Sequence, residues 1–247
     1  EKLFNWQNTL MRRHEAYHEK ILHPTPKIHK ESNGEDEIAT IHNDEVAINE
    51  NFKDELIYDW HPKYSFIDHI CSDEFSFESF RKANFKEVGD FANQPFEFDE
   101  GKMAFRREGG VYLDKKYDTS ITKKYGFGKS SLSLDLSTVS DFTHKLNYGM
   151  EFNFHFAHPH KVLINSQAIG SGVVLADIES IVLEDDYTQK SLKISLNKKC
   201  TVYAYILNTL SQNESGFELT AQQISLLFST PFLSSLDLNI SLEVCDV

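Results

Sequence analysis

The feature that most constrains the fold is an alternation of apolar and polar residues that runs through the chain after Leu56. It is clearest in Phe75-Ser76-Phe77, in Phe96-Glu97-Phe98, from Leu132 to Leu136 and from Phe152 to Phe156. Side chains of a strand point alternately to opposite faces, so this period predicts strands that each pack one face into a core. Because no helical pattern separates them, we predict a mostly β chain in which antiparallel sheets stack as a β-sandwich.

The chain is long enough for one sizeable core. It has 247 residues, of which 40% are hydrophobic and 13% aromatic. We therefore predict a single β-sandwich domain over residues 1–247. Further strands are predicted at Val162–Asn165, Val173–Leu183, Leu192–Leu196, Thr201–Leu207, Ile224–Phe228 and Leu236–Val244.

Residues 1–55 depart from this pattern. Leu10, Met11, Tyr17 and Ile21 have near-helical spacing, which predicts a short N-terminal helix over residues 8–21. Prolines follow it, and residues 31–55 then hold nine acidic residues against one lysine. A segment with so much charge and few large apolar groups buries little surface. We therefore predict that residues 24–55 are an acidic, mobile insertion within the domain.

Composition narrows the classes of partner and the compartment. The formal net charge of −13 would be repelled by phosphates, so we expect neither nucleic acid nor a membrane as a partner. The three cysteines are far apart and form no CxxC motif, which favours a reducing compartment and a cytoplasmic location. No signal peptide or membrane-length apolar run is present. Because the chain begins with Glu1, we expect it to be a piece of a longer protein.

Candidate site residues are concentrated in residues 58–70, where the acidic segment gives way to predicted strands. Asp59, Trp60, Asp68 and His69 all lie there. A carboxylate beside an imidazole can orient the ring or shift its pKa, but neighbours in a strand point to opposite faces. The Asp68-His69 pair is therefore either a ligand contact or a buried polar anchor beside a surface residue.

The predicted N-terminal helix carries a second group of candidates, Arg12, Arg13, Glu15 and His18. On a helix Glu15 and His18 would share a face, with Arg12 one turn earlier. A guanidinium, a carboxylate and an imidazole that converge could hold sugar hydroxyls. The alternative is a solvated helix face with ion pairs of its own.

Glu151, Asn153 and His155 form a third group, on the polar side of a predicted strand. That side either faces water or lines a concave sheet, where an acid, an amide and an imidazole in a row would suit a sugar. His155, His158 and His160 also raise the possibility of a metal site, but no cysteine is near in sequence. We predict a polar loop there and no metal.

Signatures of several enzyme classes are absent. Gly128-Lys129-Ser130 matches the end of a phosphate-binding loop, but Lys123 stands where its first glycine belongs, so we predict a turn. No GxSxG motif occurs, so the nucleophile-elbow signature of the α/β-hydrolases is absent. We predict no cofactor.

Four segments carry a resemblance to a known family. Residues 8–19 read NTLMRRHEAYHE, and residues 58–69 run from Tyr-Asp-Trp to Ile-Asp-His; residues 149–154 read GMEFNF and residues 208–218 read NTLSQNESGFE. In this order they resemble the N-x-L-x-RR-x-E-x-YHE, YD…R-x-S-x-IDH, G-x-E-x-N and ETxSxSExGFE segments of glycoside hydrolase family 57. These enzymes are 4-α-glucanotransferases and α-amylase-like proteins. The sequence departs from them at Lys63, where an arginine is expected, and at Asn208, where an acid is expected.

The resemblance implies a C-terminal β-sandwich of the galactose-mutarotase-like supersandwich type, with its first strands before Glu1. In the family the catalytic carboxylates belong to an N-terminal barrel, so this segment alone is expected to be non-catalytic. The implied partners are that barrel and an α-glucan or maltooligosaccharide. A retaining glycosidase needs two carboxyls about 5–5.5 Å apart, and no such pair can be assigned in this sequence.

Two functions of different classes remain open. In the first, the chain supports the barrel of an α-glucan-acting enzyme and contacts carbohydrate through the N-terminal helix and residues 58–70. In the second, it is an autonomous mutarotase-like isomerase, because anomer exchange needs one acid and one base. The acid would be His155 or His69, and the base would be Glu243 or Glu151. A plain carbohydrate-binding module lies between the two.

Overall fold

The structure is a computed structural model that describes residues 11–23, 51–214 and 216–246. Antiparallel strands dominate these residues. The α-helices are α1 (Glu19–Leu22), α2 (Asn51–Asp54) and α3 (Phe77–Arg81), and 3-10 turns lie at Ala16–His18 and Pro159–Lys161. The strands are β1 (Ile67–Cys71), β2 (Glu97–Asp99), β3 (Ala104–Tyr112), β4 (Lys116–Phe127), β5 (Ser131–Ser140), β6 (Leu146–Phe154), β7 (Leu163–Ile164), β8 (Gln167–Ala168), β9 (Val173–Asp185), β10 (Lys190–Asn213), β11 (Gly216–Phe232) and β12 (Ser235–Asp246).

The strands join in one 12-stranded sheet whose main order is β1-β6-β11-β10-β12-β5-β4-β3-β2. Off this path, β9 pairs with β10 and with β7, and β7 pairs with β8. Every pairing between named strands is antiparallel. The prediction of a mostly β, antiparallel chain is confirmed.

One long strand, β10, belongs to both halves of this sheet. Its first part pairs with β12 from Lys190 to Leu196, and its later part pairs with β11 from Thr201 to Asn213. Because one edge of a strand can hold only one neighbour at a time, the sheet divides there into a β1-β6-β11 half and a β12-β5-β4-β3-β2 half. Both halves send buried side chains into one core, for example Leu134 on β5 and Phe152 on β6. This is the sandwich that the alternation predicts.

Strand β6 is buried on both faces along its whole length. Tyr148, Met150 and Phe152 point into the main core. Glu151 and Asn153 point the other way and are equally buried. On this outer side a second apolar cluster covers the sheet, formed by Cys71, Phe75, Phe80, Phe85, Tyr205, Leu207 and Leu227.

Two predictions of secondary structure are wrong. Within the predicted helix 8–21, residues 11–15 are not helical, because helical structure begins at Ala16 after an extended Glu15. Phe75-Ser76-Phe77 is not a strand, because Ser76 caps α3: its Oγ accepts a hydrogen bond from the backbone N–H of Ser79. The predicted strands Leu192–Leu196 and Thr201–Leu207 are parts of the single strand β10.

Other predictions fare differently. Gly128 to Ser130 do form the turn between β4 and β5. Most of the predicted insertion at residues 24–55 lies outside the described residues, which include only α2 and Glu55 from it.

No disulfide joins the three cysteines. Across the described ranges, none of the helices has the length and apolar character that a membrane crossing requires.

Candidate functional site

Residues 58–64 cross the outer face of β6. Their burial is the reverse of the usual pattern, because polar side chains are buried and aromatic side chains are exposed. Asp59, His61 and Lys63 point inwards and are buried, although charged residues are rarely buried unless they are paired. The side chains that point outwards are aromatic and partly exposed: Tyr58, Trp60 and Tyr64. The segment therefore brings its polar groups to the sheet and leaves its rings on the surface.

The carboxylate of Glu151 on β6 is the centre of the buried polar groups. Its Oε2 accepts hydrogen bonds from Nε2 of His61 and Nε2 of His69, both at 2.9 Å. Its Oε1 lies 3.1 Å from Lys63 Nζ and accepts a hydrogen bond of 2.8 Å from Asn153 Nδ2. Burial alone would raise the pKa of Glu151, but the charge of Lys63 and the hydrogen bonds from His61 and His69 outweigh it and hold the pKa well below its usual range.

His69 bridges two carboxylates. Its Nδ1 donates to Glu87 Oε2 at 2.8 Å while its Nε2 donates to Glu151. Burial would lower the pKa of His69, but these two hydrogen bonds outweigh it and raise the pKa to about 9. Both ring nitrogens donate only in the imidazolium, so His69 carries a positive charge at neutral pH. His61 behaves oppositely, because burial lowers its pKa and leaves the ring neutral.

Arg12 and Asp59 form a bidentate ion pair beside this group. Arg12 Nε donates to Asp59 Oδ2 at 2.9 Å, and Nη2 donates to Oδ1 at 2.6 Å. The backbone N–H of Arg12 also donates to Asp59 Oδ2. Burial would raise the pKa of Asp59, but the hydrogen bonds from Arg12 and the charge of Lys63 hold it below its usual value. Lys63 Nζ, 3.7 Å from Asp59 Oδ1, links this pair to Glu151.

We call this set of side chains the outer-face cluster. It consists of Arg12, Asp59, His61, Lys63, His69, Glu87 and Glu151. Three cations (the guanidinium, the ammonium and the imidazolium) face three carboxylates, so the formal charges cancel. A buried charge is costly unless it is paired in this way.

Asn153 extends the cluster along β6. Its Nδ2 also donates to the backbone carbonyl of Tyr64 at 2.6 Å, while Oδ1 accepts hydrogen bonds from Gln223 and Ser225. Ser65 Oγ hydrogen-bonds both the N–H and the carbonyl of the Asn153 backbone. These bonds fasten residues 64–65 to the sheet.

Asp68 lies on the other face of β1 from His69, as strand geometry predicts. Its Oδ1 accepts a hydrogen bond of 2.6 Å from Tyr148 Oη, and Oδ2 pairs with Lys123 Nζ. Burial and the charge of Asp68 raise the pKa of Tyr148 well above its usual value, so the phenol stays protonated and donates. Asp68 thus anchors the core side of β1, while His69 anchors the outer side.

Comparison with known proteins identifies the family. Residues 1–243 match the family described as "Alpha-amylase/4-alpha-glucanotransferase, C-terminal". The chain belongs to this family. The resemblance to family 57 4-α-glucanotransferases and α-amylases is thereby confirmed.

Among curated relatives of this C-terminal domain, a 4-alpha-glucanotransferase of Thermococcus litoralis is 29% identical over 97% of the chain and 34% of its own length. An "Alpha-amylase 1" of Dictyoglomus thermophilum is also 29% identical, over 92% of the chain and 33% of its own length. The crystal structure of the Thermococcus litoralis enzyme matches 97% of this chain and 32% of its own chain, with a TM-score of 0.76 and 24% identity, and so shares the fold. The chain spans about a third of the length of these relatives.

The family motifs converge in space. Arg12 from the first motif pairs with Asp59 from the second, and His69 from the second meets Glu151 from the third. The fourth motif forms the β10–β11 hairpin, and its Leu210 carbonyl accepts a hydrogen bond of 2.9 Å from Tyr17 Oη of the first motif. In this member of the amylase and glucanotransferase C-terminal family, the first two motifs therefore form a layer packed on the outer face of β6, the strand that carries the third motif.

The structure divides the predicted site residues by exposure. The predicted convergence of Arg12, Glu15 and His18 on one helical face is wrong, because Arg12 precedes the helical residues and turns inwards to Asp59. Glu151 and Asn153 neither face water nor line an open surface, because residues 58–66 cover them. The buried members of the predicted set are Arg12, His18, Asp59, Asp68, His69, Glu151 and Asn153, and the exposed members are Arg13, Glu15, Trp60 and His155.

The acid–base pairs that sequence suggests are not arranged around a substrate. His69 Nε2 and Glu151 Oε2 are hydrogen-bonded directly at 2.9 Å and both residues are fully buried, so no sugar ring fits between them. His155 is exposed, with Nδ1 donating to the backbone carbonyl of Gln222 at 2.8 Å. Glu243 is exposed on β12, which is not paired with β6.

Three members of the outer-face cluster have the composition of a metal site. The ligand atoms of His61, His69 and Glu151 lie within 4.8 Å of one another. Lys63 Nζ, however, is 3.1 Å from Glu151 Oε1 and 3.5 Å from His61 Nε2. An ammonium already supplies positive charge at this point, so the arrangement suits an ion-pair cluster better than a metal.

Sequence reasoning missed His61 and Lys63 as partners of Glu151, Glu87 as a partner of His69, and Tyr148 and Lys123 as partners of Asp68. His61 and Lys63 could have been predicted from a local pattern in the sequence. Asp59, His61 and Lys63 alternate with aromatic residues at a period of two, which indicates one polar face in extended conformation. Nothing local marks Glu87 or Lys123, whose partners lie 18 and 55 residues away along the chain.

Proposed function

We propose that this chain is the non-catalytic C-terminal β-sandwich domain of an α-glucan-acting enzyme, and that it supports the catalytic barrel. The relatives named 4-alpha-glucanotransferase and alpha-amylase are about three times as long as the segment that this chain matches. Their names motivate the proposed substrate class, α-glucan or maltooligosaccharide. The barrel would be the main protein partner.

The observation that carries the proposal is the closure of the outer-face cluster. A general acid or base must reach the reacting atoms of its substrate within hydrogen-bond distance. Glu151 and His69, the polar pair at the meeting point of the family motifs, are fully buried, and their side-chain nitrogen and oxygen atoms are engaged with protein partners. Such a cluster fixes three chain segments to one strand and offers no position to a sugar.

The exposed members of the predicted set are the proposed contacts with the barrel. Trp60 stands outside the cluster, with its ring 4.2 Å from that of His61 between centroids. Arg13 and Glu15 lie on the same layer, beyond the buried Arg12. Because the cluster holds residues 12 and 59–63 rigidly, these side chains are presented from a fixed base.

The test is a pair of activity assays on the purified chain. Polarimetry would follow anomer exchange of α-glucose, and chromatography would follow transfer between maltotriose molecules. We expect both rates to equal those of buffer alone. A rate above buffer with either substrate contradicts the proposal and would favour the mutarotase-like alternative or a complete catalytic unit.

A further inference from the structure

A groove of about 550 Å³ opens beside Tyr64, at the end of the extended segment. It lies between β1 and the ends of β3, β4 and β5, and the loop of residues 91–96 closes one side. Its size falls in the range of ligand sites in proteins, which is about 300–1,000 Å³. None of the residues in the outer-face cluster lines it, so it is a separate feature.

Half of the residues that line the groove are aromatic. Tyr64, Phe105 and Phe127 stand at the rim and are 39%, 39% and 80% exposed. Deeper in the groove lie Phe66, Phe96 and Tyr125. Large apolar side chains that are exposed together mark binding surfaces, because leaving them in water costs hydrophobic free energy.

Polar groups are interspersed with these rings. The ion pair of Lys123 and Asp68 lies at the floor. Asn93 donates through Nδ2 to the carbonyl of Pro62 at 2.7 Å. The neighbouring Gln94 is exposed, and its side-chain amide makes no hydrogen bond with any of the residues that the structure describes. A side-chain amide offers both donors and an acceptor.

Backbone strain is concentrated at the same place. Phe66 has φ of 62° and Asn93 has φ of 54°, in the left-handed region that a bulky residue such as phenylalanine rarely adopts. The carbonyl of Phe66 accepts a hydrogen bond of 2.7 Å from Lys123 Nζ, which holds the strained residue in place. Strained residues that the surroundings fix in this way occur often at ligand sites.

We propose that this groove binds a segment of α-glucan, a proposal that rests on the function proposed above. A sugar ring has C–H faces that pack on aromatic rings and hydroxyl groups that both donate and accept hydrogen bonds. An apolar protein surface laid on the same rings would cover the side-chain amide of Gln94 without giving it a partner, which is costly. Glucan hydroxyls avoid that cost, and a neutral ligand is unaffected by the net charge of −13.

The test is calorimetric titration of the purified chain with maltoheptaose. We expect saturable binding that Tyr64→Ala and Phe127→Ala each weaken by about threefold to tenfold, the order of one aromatic contact. Gln94→Ala should weaken it as well. The matched control is Tyr187→Ala, because Tyr187 is 65% exposed in the turn between β9 and β10 and does not line the groove. Circular dichroism would confirm that each variant is folded.

Two results would overturn the groove assignment. One is a folded chain that shows no binding at millimolar maltoheptaose, and the other is binding that the rim substitutions leave unchanged. If sedimentation shows a dimer that Phe127→Ala dissociates, the groove is instead a contact between copies of the chain. These outcomes are distinct from failure of the proposed function, which is measured as turnover and not as binding.

Discussion

Replacing Glu151 by glutamine tests whether the outer-face cluster is held together by charge. The substitution keeps the shape of the side chain and removes its negative charge. In the structure that carboxylate faces Lys63 Nζ at 3.1 Å and accepts hydrogen bonds from both His61 and His69 at 2.9 Å. A glutamine has one acceptor oxygen, and its NH₂ group must then face donors on the other side.

The expected cost follows from these contacts. Removing one partner of a buried ion pair costs about 3–5 kcal/mol, because the remaining charge stays buried and uncompensated. For a chain of this size each kcal/mol lowers the melting temperature by about 2–4 °C, so a fall of roughly 6–20 °C is expected. The three cations of the cluster would then face two carboxylates, and the net charge left inside is positive.

The assay is equilibrium unfolding in urea, followed by circular dichroism, on Glu151→Gln and on the control Glu243→Gln. Glu243 is exposed on β12, so its substitution should change the free energy of unfolding by no more than about 0.5 kcal/mol. A loss below about 1 kcal/mol for Glu151→Gln, with an unchanged dependence on urea, would refute the reasoning.

Three further predictions concern neighbouring contacts. A double-mutant cycle of Arg12→Ala and Asp59→Ala should give a coupling of at least about 1.5 kcal/mol in unfolding free energy, and a coupling near zero would show that the bidentate pair contributes nothing. The pKa of His69, about 9 when folded against about 6.5 when unfolded, makes its contribution complete below pH 6.5 and lost as the pH rises through 9. The free energy of unfolding should therefore fall by about 2 kcal/mol between pH 7 and pH 9, and His69→Gln should flatten that fall; an equal fall in both proteins would contradict it. Gly149→Ala should lower the free energy of unfolding by about 1–3 kcal/mol, because the added Cβ would lie 2.8 Å from Leu227 Cδ1 and 3.0 Å from Phe75 Cζ. The control is Gly101→Ala, whose added Cβ would meet no atom closer than 3.4 Å.

Most of the sheet could be predicted from the sequence because its signal is local. Residues 132–136 and 152–154 alternate as strands do, and they lie in β5 and β6. The prediction failed at Phe75-Ser76-Phe77. The same alternation is present there, but Ser76 caps the helix α3 and the segment is not a strand. It failed again at residues 11–15, where a tertiary ion pair between Arg12 and Asp59 outweighs helical propensity.

The sequence predicts which residues form the candidate site, but it does not predict that they are buried. The motifs single out Arg12, Asp59, His69 and Glu151, and the structure does bring them together. Whether Glu151 faces water or protein depends on residues 58–66, which reach it from about ninety positions away along the chain. A period of two cannot reveal this second layer, because a strand buried on both faces can still alternate between polar and apolar side chains. The groove at Tyr64 was not predicted either, because its lining comes from separate strands that are far apart in the sequence.

The protonation state of His69 tests the central claim most directly, namely that the buried charged residues of the motifs form a closed ion-pair cluster and not an acid–base site. Nitrogen-15 NMR of the histidine side chains, assigned with His69→Gln, would follow the ring from pH 5 to pH 10. The structure predicts that both ring nitrogens of His69 are protonated at pH 7 and that the ring titrates near pH 9. A His69 ring that is neutral at pH 7 and titrates near its ordinary value of about 6.5 would contradict the account.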